Sequence, residues 1–447
     1  MSVVTRFAPA PSGRLHVGNL RTALHNWLLA RKTHGRFLLR IDDTDASRSR
    51  EAFIDAIRDD LAWLGLAWDG EVRQSRRLAL YDAALDRLAA KGRAYRCYES
   101  PQELELKRKV LLGRGLPPIY DRAALALSEA DHAARAAAGE RPHWRFRLDH
   151  DSPIVWQDGI RGVQRFDPAQ LSDPVIRRAD GTWLYMLPSV VDDIAMGVTD
   201  IVRGEDHVSN TALQAQMFEA LGAGLPRLAH EALIVGGEGV LSKRLGSLGV
   251  EGLRETGIEP QALRALLARI GTSQAVDPAA QDDDLAAGFD LAQFGRAPAR
   301  FDEAELRRVN AAVVHALPYD AVAERLPEGM DETAWLAIRA NLAHVGEAAA
   351  WWSVLKEPIA LPDLPADDRA YLRQAAACAS EVGWHDDPWH ALTAALKQAT
   401  GRKGRGLFLP LRLALTGREH GPEMAAMLPL IGRDEAVRRL MAAGGGG

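Results

Sequence analysis

The sequence predicts an α/β fold in which a parallel sheet is interrupted by an α+β insertion and followed by an all-α half. Three observations support this prediction. The first 42 residues read as strand, glycine-bearing loop, helix and strand, short strands and turn signals fill residues 93–180, and helical periodicity is almost continuous from about Glu259. A chain of 447 residues is too long for one ordinary core, which indicates several domains.

The amino-terminal unit is a βαβ motif. Residues 2–8 are apolar and β-branched and stop at two prolines, which indicates a buried strand. From Leu20 the apolar residues recur at i, i+3, i+4, i+7 and i+8, so we expect a helix that ends near Thr33. Residues 36–42 have the continuous apolar centre of a buried parallel strand. The unit predicts a Rossmann-type sheet whose ligand lies at the carboxyl ends of the strands, beside the helix N-terminus.

The rest of the sheet domain follows with an interruption. Helices are expected over residues 51–64 and 81–91 and over ALQAQMFEAL, and strands over HWRFRL and PIVWQ, with a tight turn at Asp180-Gly181. Residues 185–207 have buried-strand character again, and we expect them to close the interrupted sheet. Residues 275–284 are predicted to be a polar loop.

Composition and charge narrow the class of protein. Hydrophobic residues make up 47% and charged residues 26%, as in ordinary globular proteins, and a net charge of −5 argues against a chain that is polybasic throughout. The final segment is basic after an acidic stretch over residues 320–387, which fits a solvated helical surface or an RNA-facing one. Cys97 and Cys378 match no metal-ligand spacing and fit a reducing compartment. The sequence has no signal-peptide pattern and no run of 18 apolar residues, so we expect a cytoplasmic protein.

The stretch HVGN, residues 16–19, lies at the expected start of the first helix. A helix N-terminus offers free N–H groups and the positive end of a dipole, so it binds phosphate. Gly18 has no Cβ and lets a ring or sugar approach the backbone, and His16 can donate a hydrogen bond to a phosphate oxygen. A structural histidine in a turn is the competing interpretation.

Three further stretches carry charged side chains near strand ends. Lys243 in LSKR could neutralise nucleotide phosphates or simply belong to the surface. Asp42 in RIDDTD could bind an ammonium group, although this stretch is also rich in residues that cap helices. Arg203 in VRGEDH could clamp a carboxylate with its planar fork, or pair with Glu205 or Asp206.

The chain resembles the bacterial glutamyl-tRNA synthetases, a family of class I aminoacyl-tRNA synthetases, through four stretches in the family's order: TRFAPAPSGRLHVGN, FLLRIDDTD, LYMLPSVVDDIAMGVTDIVRGEDHVSNT and LSKRLGSLGVEGLRE. The resemblance is close over residues 2–273 and weaker from LRRVN to the carboxyl end. It implies ATP-dependent activation of L-glutamate to glutamyl-adenylate and transfer to the 3′ end of tRNA-Glu. HVGN then stands for the family's HIGH signature, and LSKR lies in its KMSKS signature.

The resemblance also implies a role for each matching residue. His16 and Lys243 would be catalytic and would stabilise the charge on the phosphates of ATP, which carries Mg²⁺. The implied ATP-binding residues are His16, Gly18, Asn19, Lys243 and Asp206. The implied glutamate-binding residues are Arg6, Ala8, Ala10, Asp42, Tyr185, Ser189 and Arg203. Arg6 and Arg203 would face the two carboxylates of glutamate, and Asp42 would face its ammonium group.

Several positions depart from the family's pattern. Ala10 stands where the family usually has serine, Asp42 is one methylene shorter than the usual glutamate, and Ser189 stands where some members have asparagine. Val240 replaces the first lysine of KMSKS. The insertion has a single cysteine, Cys97, where some relatives have a zinc-binding cluster, so we expect no zinc.

The resemblance implies four domains. They are a split Rossmann catalytic domain at 1–92 and 185–240, an acceptor-binding insertion at 93–184, a KMSKS loop with a helical connecting domain at 241–310, and a helical anticodon-binding region at 311–447. The implied partners are L-glutamate and tRNA, with no membrane, and we take a monomer as the default.

Three alternatives stay open. A shortened paralogue glutamylates a modified base of tRNA, a related enzyme charges tRNA-Gln in addition to or instead of tRNA-Glu, and a catalytically dead paralogue only binds RNA or amino acid. The long helical half argues against the first alternative. Retention of His16, Gly18, Lys243 and Arg203 argues against the third.

Overall fold

A computed structural model describes residues 2–236, 239–240, 249–360 and 363–445, with backbone alone at 239–240. The chain forms two compact units, one of Met1–Leu253 with Leu263–Asp302 and the other of Arg254–Ala262 with Glu303–Gly447. The finer division into four domains stays a prediction.

The first unit begins with alternating strands and helices. They are β1 (Val4–Phe7), α1 (Val17–Lys32), β2 (Arg36–Ile41), α2 (Glu51–Trp63), β3 (Gly70–Arg73) and α3 (Leu78–Ala90). The three strands pair in parallel in the order β1-β2-β3. Phe37 and Leu39 are fully buried on one face of β2, and Leu38 is buried on the other. Because both faces of β2 are covered, its sequence is a continuous apolar run.

The segment after α3 contains the predicted insertion. Its elements are β4 (Ala94–Cys97), α4 (Pro101–Gly113), α5 (Glu129–Ala137), β5 (His143–Phe146), β6 (Ile154–Asp158), β7 (Gly162–Phe166) and β8 (Val175–Arg177). β4, β5 and β8 form a small antiparallel sheet in that order. The predicted tight turn is confirmed, since Gly181 has a φ of +91° and Arg177 bridges Trp183 across it.

The chain after the insertion supplies the strands of further sheets. The elements are α6 (Met186–Ala195), β9 (Asp200–Gly204), α7 (Val208–Ala220), β10 (Arg227–Glu231), β11 (Ile234–Gly236) and β12 (Gly239–Val240). β9, β10, β6 and β7 form one sheet in the order β7-β6-β10-β9, so the β6–β7 hairpin of the insertion extends the sheet formed by β9 and β10.

The parallel sheet β1-β2-β3 and the mixed sheet β7-β6-β10-β9 meet at Thr199. The Thr199 N–H donates to the Val4 carbonyl over 2.9 Å, and the Val4 N–H donates to Thr199 Oγ1 over 2.8 Å. β1 and β9 therefore lie side by side. The strand order runs to β2 and β3 on one side of this pair, and to β10, β6 and β7 on the other. In a doubly wound sheet, ligands bind at such a switch point, outside the carboxyl ends of the strands.

The expectation of a buried strand over residues 185–207 is wrong for its first half. Met186–Ala195 is a helix, and the strand is confined to Asp200–Gly204. A buried helix and a buried strand both give a continuous apolar run, and Leu187 and Val190 are fully buried. Pro188 lies in the first turn of the helix, where its missing N–H costs nothing.

The remaining elements of this part of the chain are short. They are α8 (Val250–Glu255), α9 (Pro260–Leu267), α10 (Asp282–Ala287) and β13 (Ala299–Arg300). The polar loop predicted over residues 275–284 ends early, because α10 begins at Asp282. Three aspartates in the first turn of α10 favour its start, since they face the positive end of the helix dipole.

The second unit is helical throughout the residues that the structure describes. Its helices are α11 (Glu303–Ala316), α12 (Glu332–Ile338), α13 (Ala348–Lys356), α14 (Ala366–Glu381), α15 (Pro388–Thr400), α16 (Arg405–Thr416), α17 (Met424–Ile431) and α18 (Arg433–Ala443). Trp335 lies fully buried in their common core and donates its indole N–H to the Leu317 carbonyl over 3.0 Å. In the described part of the whole chain, no helix is both long and apolar enough to cross a membrane.

Candidate active site

A cavity of about 790 Å³ opens in the first unit where β1 and β9 end. Eleven of the twelve residues predicted for the site line it: Arg6, Ala8, Ala10, His16, Gly18, Asn19, Asp42, Tyr185, Ser189, Arg203 and Asp206. The twelfth, Lys243, lies outside the described residues, as does the side chain of Val240. The loop after β1, the start of α1, the end of β2, α6 and the end of β9 thus converge on one space.

His16 caps the first helix as well as lining the cavity. Its Nδ1 accepts the backbone N–H of Gly18 over 3.1 Å, and the side chain of Asn19 accepts the backbone N–H of His16 over 3.2 Å. Partial burial lowers the pKa of His16, so the ring is neutral near pH 7. Because Nδ1 accepts, the proton is assigned to Nε2, which is therefore a hydrogen-bond donor.

Gly18 has a steric role that the sequence did not indicate. A Cβ at this position would lie 3.0 Å from Cε1 and 3.1 Å from Nδ1 of His16. The imidazole of His16 thus lies against the Gly18 backbone. The glycine therefore sets where the imidazole lies.

Two arginines on neighbouring strands share one buried carboxylate. Arg6 Nε donates to Asp193 Oδ1 over 3.1 Å, and Arg40 Nη1 donates to the same oxygen over 2.7 Å. Asp193 lies on α6 and is buried. Burial acts to raise the pKa of Asp193, but Arg6 and Arg40 together hold it below its ordinary value. The helix therefore supplies the counterion that fixes both guanidinium groups.

Asp42 is held by the same arginine. Arg40 donates from Nε to Asp42 Oδ1 over 2.6 Å and from Nη2 to Asp42 Oδ2 over 3.1 Å. Arg40 Nη2 also donates to Ser189 Oγ over 2.9 Å. Burial raises the pKa of Asp42 and outweighs the opposing effect of Arg40. Each carboxylate oxygen retains a lone pair for a further donor in the cavity.

Arg203 has a different environment. It is 8% exposed and donates from Nε to His230 Nε2 over 3.2 Å, and from Nη2 to Thr211 Oγ1 over 2.5 Å and to Gln214 Oε1 over 2.9 Å. Within the described residues it forms no ion pair with a carboxylate. Burial, followed by the nearby charge of Arg6, lowers the pKa of Arg203 to about 10, so it is charged at neutral pH.

The alternative ion pair between Arg203 and its acidic neighbours does not form. Glu205 accepts instead from Arg161 Nη1 over 2.5 Å, and Asp206 lies 3.7 Å from Nε2 of His207. The nearest acidic neighbours in sequence thus leave Arg203 without a negative partner.

His230 and Asp158 stand behind Arg203. His230 is fully buried on β10, and its Nδ1 lies 2.5 Å from Oδ2 of Asp158, which is 1% exposed at the end of β6. Burial is the main cause that lowers the pKa of His230. Burial acts to raise the pKa of Asp158, but hydrogen bonds from His230 and from the Arg161 backbone bring it to about 2.

Tyr185 and His207 line the cavity between these groups. Their rings meet edge to face, with centroids 6.1 Å apart. Burial raises the pKa of Tyr185 to about 12, so its hydroxyl remains protonated. Burial, together with the charge of Arg203, lowers the pKa of His207 to about 4.

The loop after β1 brings small side chains to the cavity wall. The Asp42 N–H donates to the Pro9 carbonyl over 3.0 Å, and the Ser12 N–H donates to the Ala10 carbonyl over 2.9 Å. Ala8 and Ala10, whose side chains are single methyl groups, line the cavity. A serine at position 10 would add a hydroxyl to this wall, and this chain lacks it.

Gly249 connects the segment that contains Lys243 to the start of the first helix. It forms an isolated antiparallel bridge with His16. Gly249, six residues after Lys243 in the sequence, therefore lies beside the HVGN turn.

Sequence reasoning missed four members of this site: Arg40, Asp193, Asp158 and His230. Arg40 had a usable signal, because it stands two residues before Asp42 on a strand, and residues at that spacing share a face. Asp193 was hidden by the wrong strand assignment. Asp158 and His230 lie 72 residues apart, and nothing in either stretch points to the other.

A second cluster lies in the insertion, away from the cavity. Cys97 Sγ, a carboxylate oxygen of Glu99 and a ring nitrogen of His143 lie within 4.8 Å of one another. Burial raises the pKa of Cys97 to about 12, which disfavours the thiolate that a metal requires.

Comparisons with known proteins place the chain in a family. A family model for the catalytic domain of class I tRNA synthetases (E and Q) matches residues 2–308, and one for an anticodon-binding domain matches residues 360–443. A glutamate–tRNA ligase of Novosphingobium aromaticivorans is 69% identical over 442 residues, which is 99% of this chain and 100% of the relative. One of Rhizorhabdus wittichii is 66% identical over 99% of each chain.

A solved structure agrees with these relatives. The crystal structure of a glutamate–tRNA ligase from Elizabethkingia meningosepticum, in complex with its amino acid, superposes with a TM-score of 0.88 at 26% identity, covering 100% of this chain and 99% of that one. The fold of each unit, the family model over more than half of the chain and the full-length relatives agree, and the chain belongs to the glutamate–tRNA ligases, within the class I tRNA synthetases.

Proposed function

We propose that this chain activates L-glutamate with ATP and transfers the glutamyl group to tRNA-Glu. The main support for this proposal is the environment of Arg203. Its buried guanidinium lines the cavity and has only neutral hydrogen-bond partners among the described residues. A buried charge without a counterion is costly, and a carboxylate ligand removes that cost.

The amino-acid site has the charges that glutamate requires. Arg203 is proposed to bind the side-chain carboxylate, and Arg6 the second carboxylate. Asp42, held by Arg40, is proposed to accept hydrogen bonds from the ammonium group through its free lone pairs. Glutamine would leave the charge of Arg203 unpaired, so the site is expected to discriminate against it.

Small and neutral groups complete the proposed glutamate site. Tyr185 offers a protonated hydroxyl, and Ser189 is turned towards Arg40 and helps to hold it. Ala8 and Ala10 form the wall against which the substrate lies. The methyl group of Ala10 supplies no hydrogen bond there.

ATP is proposed to bind at the start of α1. His16 presents its Nε2–H, and the positive end of the α1 dipole at Gly18 and Asn19 attracts the phosphates. Asp206, which also lines the cavity, and Lys243 complete the proposed set; the bridge between Gly249 and His16 supports the role of Lys243. Mg²⁺ would enter with ATP and neutralise phosphate charge when it is bound.

The proposed reaction is an in-line displacement. A carboxylate oxygen of glutamate attacks the α-phosphorus, a new P–O bond forms, and the bond to pyrophosphate breaks. The protein contributes position and charge: Arg6 and Arg203 orient the substrate, and His16 donates a hydrogen bond to a phosphate oxygen. The ribose hydroxyl at the 3′ end of tRNA then attacks the acyl carbon and releases AMP.

Three further assignments complete the proposal. The helical second unit is proposed to bind the anticodon, the protein to act as a cytoplasmic monomer, and the chain to carry no zinc. The single thiol of the Cys97 cluster supports the last of these.

Aminoacylation with purified tRNA tests the proposal. We expect glutamate to be charged onto tRNA-Glu, and the same assay with purified tRNA-Gln measures whether that tRNA is a second substrate. Arg203→Ala should raise the KM for glutamate about 30-fold or more, because it removes a charge-assisted hydrogen-bond pair, while the KM for ATP stays within about twofold. An unchanged KM for glutamate would overturn the assignment of Arg203.

A further inference from the structure

The orientation of Arg203 depends on an imidazole behind it. Its Nε–H points at His230 Nε2 over 3.2 Å, and Thr211 Oγ1 lies 2.8 Å from the same ring nitrogen. A guanidinium N–H can only donate. His230 Nε2 must therefore offer a lone pair, and the proton of the neutral ring sits on Nδ1.

Asp158 fixes that proton position. The Nδ1–H of His230 faces Asp158 Oδ2 at 2.5 Å, and a carboxylate oxygen can only accept. The opposite tautomer would place a lone pair against the carboxylate and an N–H against the N–H of Arg203. Both contacts would be repulsive, so Asp158 and Arg203 select the same tautomer from opposite sides of the ring.

Asp158 itself is anchored through its other oxygen. Oδ1 accepts three backbone N–H groups, from Ile160 over 3.1 Å, from Arg161 over 2.9 Å and from His230 over 3.1 Å. The carboxylate therefore cannot turn, and Oδ2 is left to His230.

We propose that Asp158 and His230 are positioning residues for glutamate, acting through Arg203: the carboxylate fixes the imidazole so that a neutral acceptor holds the guanidinium. This inference rests on the proposed role of Arg203. A carboxylate in direct contact with Arg203 would orient it equally well but would also neutralise it and compete with the substrate. Placing one imidazole between Asp158 and Arg203 orients the arginine and leaves its charge to the ligand.

The inference gives the insertion a part in amino-acid recognition. Asp158 ends β6, which pairs with β10 and brings the carboxylate beside His230. Asp158, which does not line the cavity, thereby sets the orientation of Arg203, which does.

Asp158→Asn is the decisive variant. The three backbone N–H groups hold the amide oxygen of the asparagine in the place of Oδ1, so its NH₂ group faces His230 Nδ1. That donor forces the proton of His230 to Nε2, against Arg203 Nε–H. We expect the KM for glutamate in aminoacylation to rise about 10- to 100-fold, with the KM for ATP within about twofold. Asp151→Asn, on an exposed aspartate of the same segment, is the matched control.

The same substitution made in a His230→Gln protein distinguishes a positioning role of Asp158 from a purely structural one. In His230→Gln, the amide oxygen can accept the hydrogen bond from Arg203. An amide has no tautomer for Asp158 to select. Adding Asp158→Asn to His230→Gln should raise the KM for glutamate less than threefold further, whereas a purely structural role of Asp158 gives the same increase in both backgrounds. Equal increases, or an unchanged KM in Asp158→Asn, overturn the inference.

Two further measurements distinguish a failure of this inference from misfolding of a variant and from a failure of the proposed function. Nitrogen NMR of histidine-labelled protein, with His230→Gln to assign the signal, should show an Nδ1–H tautomer for His230. An Nε2–H tautomer overturns the inference even where Asp158→Asn does not fold. Arg203→Lys tests the proposed function separately: a normal KM for glutamate there refutes the role of Arg203, whereas a raised KM there with a normal KM in Asp158→Asn refutes the positioning alone.

Discussion

Gly18 donates its backbone N–H to Nδ1 of His16 across 3.1 Å, so the first turn of α1 determines which ring nitrogen carries the proton. The same glycine leaves room for the ring, because a Cβ would lie 3.0 Å from Cε1. The backbone at Gly18 thus sets both the position of the His16 ring and the ring nitrogen that can donate a hydrogen bond to ATP in the proposed complex.

Gly18→Ala should therefore reduce activity with little change in stability. The added methyl group displaces the imidazole of His16, and we expect kcat for aminoacylation to fall roughly tenfold or more. Alanine is the better helix former by about 0.5–1 kcal/mol, which offsets the loss of the cap hydrogen bond to His16, so the midpoint of thermal unfolding should change little. Gly13→Ala, where a Cβ meets nothing within 4 Å, is the control. Full activity in Gly18→Ala would contradict this reading of the contact.

Asp193→Asn should destabilise the first unit. The substitution removes the negative charge that Arg6 and Arg40 share and leaves two buried guanidinium groups with less compensation. Loss of one partner of a buried ion pair costs about 3–5 kcal/mol, which chemical denaturation would detect. The exposed Asp59 provides a control, since Asp59→Asn should change stability by less than about 0.5 kcal/mol. Similar stability losses for both variants would contradict the prediction.

His207 should make the fold less stable in acid. Its pKa is about 4 in the folded site, mainly because it is buried, and about 6.5 in an unfolded chain. The stabilisation is complete above the unfolded value and declines as the pH falls from about 6.5 towards 4, because only the unfolded chain takes up the proton.

His207→Gln removes that proton uptake. The midpoint of thermal unfolding should fall less between pH 7 and pH 5 in this variant than in the unaltered protein. His34→Asn is the control: His34 is exposed, and asparagine tolerates its φ of +51°. An identical pH dependence in His207→Gln and the unaltered protein would show that His207 does not contribute.

Elemental analysis of the purified protein should find much less than one zinc per chain. The Cys97–Glu99–His143 group is the place to look, but it has one thiol, and burial raises its pKa to about 12. Stoichiometric zinc that disappears in Cys97→Ser would contradict the expectation and assign the cluster a metal.

Much of the fold could be predicted because the apolar periodicity is strong. The βαβ unit, the helical carboxyl half and the tight turn at Gly181 all follow from local patterns of spacing and backbone preference. Residues 185–195 could not be assigned in this way, since a buried helix and a buried strand share one apolar signature.

The candidate site was predicted in part, for a related reason. Short motifs point to residues that face a ligand, such as His16 and Arg203. They do not point to the residues that hold these side chains, such as Asp193 and His230, because those contacts join distant parts of the chain and leave no local pattern.

The pairing of β6 with β10 limits how this protein can be redesigned. Excising residues 93–184, or exchanging them for another module, would strip a neighbour from β10 and expose its unpaired backbone edge to aggregation. A transplant that preserved the rest of the segment but lost this one strand would fail in the same way. Any shortened or chimeric version must therefore keep the β6–β7 hairpin, even if the three-stranded sheet beside it is removed.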